Sequence, residues 1–100
     1  MGACVYETIL FDWDDQKHDE NPVKHDGVTF EDGMEACLDP TFVAQDASRH
    51  DEFRMGIIGY TRRNVLLLVA TDPYEDGTGY RMISARKVTK SERELYEEGV

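Results

Sequence analysis

The stretch that decides the fold spans residues 80–96 and reads YRMISARKVTKSERELY. Apolar and polar residues alternate in its first part, which predicts a β-strand over Gly79–Lys87. The stretch is also basic, because residues 81–93 hold five bases against one acid in a chain of net charge −10. A local cationic cluster on an acidic chain suggests a functional surface.

The second part of this stretch predicts a helix. Thr89 stands three residues ahead of Glu92, which is the spacing of a capping box. The helix is expected to run to about Glu98 and to stop at Gly99. At barely three turns it needs packing against the body, which Leu95 can supply.

The segments before residue 79 predict further antiparallel strands joined by short turns. Arg62-Arg63 reads as a hairpin connection, and Val65–Ala70 is apolar on both parities, as expected of a central strand. The predicted strands are Thr41–Gln45, Phe53–Thr61 and Asn64–Thr71.

The N-terminal third predicts one strand and two helices. Val5–Trp13 alternates as a strand that enters a turn, after which Asp12 or Asp14 can cap a short helix. Asn21-Pro22 either interrupts that helix or starts a second turn over Pro22–His25. A second helix begins at Thr29, whose hydroxyl precedes Asp32 by three residues.

That helix carries an apolar stripe and ends at Asp39-Pro40. The stripe consists of Phe30, Met34, Cys37 and Leu38. The fold class is therefore α+β, with an antiparallel sheet of about four strands packed by two N-terminal helices and a C-terminal helix.

Length and composition indicate one globular domain over residues 1–100. Residues 1–53 hold 14 acids and 3 bases, which forms either a solvated face or a docking face for a basic partner. Two cysteines without a C-x-x-C pair support neither a disulfide framework nor a thiolate zinc site. With no long apolar segment, we expect a cytoplasmic protein that uses no membrane. His18 and His25 have no other soft ligands near them and no Gly-rich phosphate loop is present, so we also expect no metal and no cofactor.

Two groups of residues could support chemistry. A regular final strand places Tyr80 and Met82 on one face with Ser84 and Arg86, and turns Ile83 and Ala85 toward the core; Arg54 and Tyr60 could reach the Ser84 face. Guanidinium groups there suit phosphate oxygens, although surface arginines also pair with ordinary acids.

The second group is the run His50-Asp51-Glu52-Phe53-Arg54, which brings an imidazole, carboxylates and a guanidinium together at the start of a strand. These groups could serve as a general base and a charge stabiliser, or could simply be solvated.

Pieces spread over nearly the whole chain resemble the BrnT toxins of bacterial and archaeal type II toxin–antitoxin systems. The pieces are Phe11-Asp12-Trp13-Asp14, Lys17, Asn21, Lys24-His25, Gly27-Val28-Thr29-Phe30-Glu31, Leu38-Asp39-Pro40, Asp46, His50, Glu52, Arg54, Ile58-Gly59, Arg81–Lys87, Glu92 and Tyr96. The run over residues 81–87 is the most specific of them. One departure is Asp26, which stands between His25 and Gly27 where the family has no residue.

The resemblance implies a RelE-like fold, metal-independent RNA cleavage that inhibits translation, and neutralisation by a BrnA-like ribbon-helix-helix antitoxin. The antitoxin would make the DNA contacts, and a homodimer is a further possibility. It also implies residue roles: Arg86 and Arg54 on the phosphate, Ser84 at the scissile group, and Glu52 or His50 in proton transfer. Further RNA-binding candidates are Arg81, Lys24, Lys87 and His25.

The net charge leaves one alternative open. An acidic chain repels RNA, because RNA binding gains its free energy by neutralising phosphates. The alternative function is therefore that of a non-catalytic relative, an interaction protein that keeps the fold but does not cut RNA.

Overall fold

The structure, a computed structural model, describes residues 1–48 and 51–99. In chain order the elements are β1 (Gly2–Tyr6), β2 (Ile9–Trp13), α1 (Asp15–Lys24), α2 (Phe30–Cys37), β3 (Val43–Asp46), β4 (Met55–Tyr60), β5 (Leu66–Pro73), β6 (Gly79–Lys87) and α3 (Lys90–Glu98). None of the described helices is long and apolar enough to span a membrane.

The strands form one six-stranded sheet in the order β1-β2-β6-β5-β4-β3. Neighbouring strands are antiparallel except β2 and β6, which are parallel. The α+β class is confirmed, and the prediction of about four antiparallel strands was wrong. The central position predicted for the strand at Val65–Ala70 is confirmed, since β5 lies between β4 and β6.

The missed strand arises from a hairpin in the segment expected to be one strand. Glu7 and Thr8 both have positive φ, 51° and 73°, and they turn β1 back onto β2. Such two-residue turns favour Asn and Gly, so Glu-Thr carries no hairpin signal. The hairpin therefore places two strands, β1 and β2, where one was predicted.

One face of the sheet is covered by α2, and α1 lies at the edge of β6, where its buried Asn21 bonds the backbone of Ala85. The core there includes Phe11, Phe30, Ile57, Val69 and Met82, each fully buried. The capping box predicted at the start of α2 is confirmed, because Thr29 and Asp32 exchange hydrogen bonds. Helix α2 leaves the opposite face of the sheet available.

The opposite face is covered only in part, by α3. Leu95 and Tyr96 of this helix pack against a cluster of buried side chains from β3, β4 and β5, namely Val43, Ile58, Leu66 and Leu68. The predicted cap at Thr89 and stop at Gly99 are confirmed, and Gly99 has φ 71°. The part of this face beyond α3 remains open.

Helix α1 passes through Asn21-Pro22 without the predicted interruption. Asp14 caps the helix by accepting from the backbone N–H groups of Gln16 and Lys17. Pro22 has no backbone N–H to donate within the helix, and its ring disfavours the α-helical conformation of Asn21 before it. Three side-chain hydrogen bonds of Asn21 stabilise the helical conformation. Two join it to the backbone of Ala85, at 2.8 and 3.1 Å, and one joins it to the carbonyl of Val28, at 2.8 Å.

Candidate active site

A cavity of about 720 Å³ opens on the sheet face that α3 leaves uncovered. Its lining includes five residues that the sequence singled out, which are His25, Glu52, Arg54, Ser84 and Arg86. They come from the end of α1, the segment before β4, and β6. The structure therefore brings together most of the predicted site.

A β-bulge decides which residues of β6 face this cavity. Ala70 pairs with Ser84 and Thr71 pairs with Met82, so Ile83 is an extra residue. Met82 and Ala85 consequently both lie in the core at 0% exposure, whereas Ile83 lines the cavity.

Because of the bulge, only some of the predictions of which face each β6 side chain occupies are correct. The prediction that Ala85 faces the core is confirmed, as is that of Ser84 and Arg86 on the opposite face. The prediction of a core-facing Ile83 was wrong, and so was that of Tyr80 and Met82 on the Ser84 face, because the extra residue reverses the alternation.

Arg86 is held by Glu92, the third residue of α3 and the partner of Thr89 in its capping box. Nη1 and Nη2 of Arg86 donate to the two carboxylate oxygens of Glu92 at 2.8 Å each, and the backbone N–H of Thr89 donates to Oε1. The hydrogen bond between the two side chains lowers the pKa of Glu92 and raises the pKa of Arg86. Among the described residues no acceptor contacts Nε of Arg86, so the Nε and Nη2 edge can take a phosphate.

Arg54 is fixed in a similar way beside it. Its Nη2 donates to Glu52 and its Nη1 to the carbonyl of Phe53, both at 2.8 Å. Its backbone N–H donates to Ser48. Two oriented guanidinium groups therefore face one cavity, and each still has N–H groups to offer.

Helix α1 contributes a stripe of which the sequence analysis assigned only His25 to the site, and not Lys17 or Asn21. Lys17, Asn21 and His25 recur at intervals of four residues, so they share one face of the helix. Lys17 and His25 line the cavity, and Asn21 is buried between them. The four-residue spacing was the available signal, but the predicted break at Pro22 concealed it.

Several polar groups in the cavity have no partner among the described residues. They are Nζ of Lys17, the ring of His25 and Oγ of Ser84. Charges in the lining nearly balance, since three cations face the carboxylates of Asp46, Glu52 and Glu92. The arrangement offers hydrogen-bond donors for one anionic group and a nearby carboxylate or imidazole for proton transfer.

The remaining predicted residues lie elsewhere or cannot be placed. Arg81 pairs with Asp12 at 3.4 Å, Lys24 with Glu20 at 3.1 Å and Lys87 with Asp26 at 3.1 Å, all outside the cavity lining. Tyr60 packs edge to face on Tyr96 and does not reach the cavity either. His50 lies outside the described residues.

Other titratable clusters serve packing. His18 stacks on Trp13 and contacts Glu31 at 2.9 Å, which raises the pKa of His18. Burial raises the pKa of the Cys37 thiol to about 12, consistent with its predicted role in the core. Across residues 1–48 and 51–99 no three His, Cys, Asp or Glu side chains gather as a metal site.

Comparison with known proteins places these residues in a family context. A family model described as "Ribonuclease toxin, BrnT, of type II toxin-antitoxin system" matches residues 13–92. The fold is similar to the 1.1 Å crystal structure of the Brucella abortus ribonuclease toxin BrnT, with a TM-score of 0.59 and 21% identity over 80% of this chain and 96% of that one. No curated protein matches the chain.

Proposed function

Because the chain belongs to the BrnT family of ribonuclease toxins of type II toxin–antitoxin systems, we propose that it cleaves RNA in the cavity between α1 and β6. The observation that carries the proposal is the convergence of Lys17, Arg54 and Arg86 on one cavity. These cations suit the phosphoryl group of an RNA backbone. Unpartnered Ser84 adds a hydrogen bond at the scissile group.

The proposed reaction is an internal transesterification that needs no metal. The 2′-oxygen bonds to the adjacent phosphorus, and the bond from phosphorus to the 5′-oxygen breaks. The products are a 2′,3′-cyclic phosphate and a 5′-hydroxyl. The guanidinium groups of Arg54 and Arg86 stabilise the charge that develops on the phosphoryl oxygens.

Two protons must move in this reaction. A base accepts the proton of the 2′-hydroxyl, and an acid donates one to the departing 5′-oxygen. Glu52 and His25 both line the cavity and are candidates for these roles. His50 remains a predicted candidate from the sequence.

The wider features of the resemblance belong to the same proposal. We propose a RelE-like fold, inhibition of translation in the cytoplasm, and neutralisation by a BrnA-like antitoxin that makes the DNA contacts. The acidic residues 1–53 would present a surface for a basic antitoxin segment. A homodimer is also proposed and is tested by light scattering of the purified chain.

A second candidate function is that of a non-catalytic interaction protein. The observation in its favour is that Arg54 and Arg86 are each already paired with a carboxylate. The net charge of −10 further opposes RNA binding. This protein would bind the antitoxin without cutting RNA.

The test incubates the purified chain with single-stranded RNA in excess chelator. The proposed function predicts fragments that end in a 2′,3′-cyclic phosphate, and loss of cleavage in Arg86→Ala. Cleavage that disappears with the chelator or persists in Arg86→Ala would contradict this mechanism. Growth of cells that express the chain alone separates the two functions, because only an active toxin arrests growth.

A further inference from the structure

We propose that Asn21 is the positioning residue of the site, which joins the α1 half of the cavity to the β6 half. The proposal rests on the proposed RNA cleavage. Asn21 is only 4% exposed, and its side chain makes hydrogen bonds to both backbone groups of Ala85. These bonds are unusual because a side chain of α1 pairs with the backbone of β6 beyond the point where β2 ends.

The bonds extend the sheet where a strand is missing. Strand β2 pairs with β6 only as far as Trp13, which lies opposite Met82. Beyond that point the amide of Asn21 takes the place of a neighbouring strand. It donates to the carbonyl of Ala85 at 2.8 Å and accepts from its N–H at 3.1 Å. A second donor bond of 2.8 Å reaches the carbonyl of Val28.

The position of this amide couples the functional side chains. On β6, Ala85 lies between Ser84 and Arg86, which line the cavity. On α1, Asn21 lies one turn from Lys17 in one direction and one turn from His25 in the other. A single side chain therefore sets the distance between the two groups of site residues.

No other hydrogen bond between α1 and β6 is present in the described part of the chain. Strand β6 is independently fixed, since β5 pairs with it from Leu67 to Pro73. Loss of the Asn21 amide should consequently leave Ser84 and Arg86 in place and displace Lys17 and His25. This asymmetry distinguishes positioning from general stabilisation, which would affect both halves alike.

The test compares RNA cleavage at saturating RNA in two backgrounds, under conditions where every variant is folded by circular dichroism. Asn21→Ala should slow cleavage more than tenfold in the wild-type background. In a Lys17→Ala/His25→Ala background, the same change should slow residual cleavage less than twofold, since the displaced groups are already gone. Asn21→Asp keeps the size but directs a carboxylate oxygen at two carbonyls, and should behave like Asn21→Ala.

Thr61→Ala is the matched control, because Thr61 is also 4% exposed and bonds the backbone at Val65, away from the cavity. It should lower stability without slowing cleavage of the folded protein. An equal loss from Asn21→Ala in both backgrounds, or a loss no greater than that of Thr61→Ala, would overturn the proposal.

A readout without activity separates this proposal from the proposed function. Inorganic phosphate titrated into the wild type should shift NMR signals of His25 and of the Ser84 amide. In Asn21→Ala only the Ser84 shift should remain, and the Ala85 amide should exchange faster with solvent. Absence of RNA cleavage with this phosphate pattern would reject only the proposed function. If Asn21→Ala lost the His25 and Ser84 shifts together, or kept both of them, the positioning role would be rejected.

Discussion

The guanidinium of Arg86 and the carboxylate of Glu92 meet in a two-pronged hydrogen bond, with both nitrogen–oxygen distances at 2.8 Å. Glu92 also accepts from the backbone N–H of Thr89, so the same carboxylate caps α3 and orients the arginine. The helix start and the site are thereby connected. The pairing directs the Nε edge of Arg86 toward a ligand while fixing its other edge.

The first prediction concerns the geometry of Arg86. Arg86→Lys keeps the charge but cannot bind a carboxylate and a phosphate side by side. We expect RNA cleavage to fall by about a hundred- to a thousandfold, the effect of removing one oriented donor. Single-turnover cleavage at fixed pH measures it. Arg63→Ala removes an exposed arginine that pairs with Asp32, and should change the rate little. An active Arg86→Lys protein would show that only charge matters.

The second prediction compares two lysines on α1. Lys17 lines the cavity without a partner in the described residues, whereas Lys24 pairs with Glu20 outside it. Lys17→Ala should lower kcat/KM by at least tenfold, and Lys24→Ala should have a much smaller effect. Equal effects would indicate that the helix contributes only its general charge. Both changes remove one positive charge, so the net charge of the variants is identical.

The third prediction concerns the salt dependence of binding. Three cations in the cavity can neutralise at most three phosphates, which limits the slope of log K against log salt to about −2 for single-stranded RNA. Binding of a non-cleavable 2′-deoxy oligonucleotide, measured by fluorescence anisotropy at several salt concentrations, gives this slope. A slope steeper than about −4 would require contacts to other cations such as Arg81, Lys24 or Lys87.

The last strand and the last helix, β6 and α3, could be predicted because the sequence patterns that indicate them are local. Residues 79–99 combine a regular alternation with a capping box and a terminal glycine, and the strand and helix bounds follow directly. The faces of β6 could not be predicted, because the bulge at Ile83 arises from pairing with β5. Bulges depend on the partner strand, which the alternation of one segment does not contain.

The site shows the same division. Arg54, Ser84 and Arg86 were predicted because guanidinium and hydroxyl groups carry recognisable chemistry, and all three line the cavity. Asn21 and Lys17 were not assigned, since their importance depends on a helix that runs through Pro22 and docks on β6. Tertiary hydrogen bonds outweighed the local preference of Asn-Pro for a break.

The fourth prediction concerns pH and His18. Its hydrogen bond to Glu31 raises the pKa of His18 above 6.5, so the folded state binds the proton more tightly than the unfolded state. The resulting stabilisation is complete below pH 6.5 and is lost as pH rises through the raised pKa. His18→Gln should therefore lose more unfolding free energy at pH 5.5 than at pH 8.5, measured by urea denaturation. In a Glu31→Gln background the difference between the two pH values should shrink, and an unchanged difference would assign the effect to another group.

The fifth prediction concerns the contact between α2 and the sheet. A Cβ added at Gly59 of β4 would lie 2.1 Å from the carbonyl oxygen of Ala36, so the helix can approach this closely only over glycine. Backbone cannot move aside as a flexible side chain can, and Gly59→Ala should cost about 1–3 kcal/mol of unfolding free energy. Gly77→Ala is a useful comparison, because a Cβ there meets no atom within 4 Å and its cost arises only from the positive φ of 77°. If Gly59→Ala were no more destabilising than Gly77→Ala in urea denaturation, the close packing of α2 on β4 would be wrong.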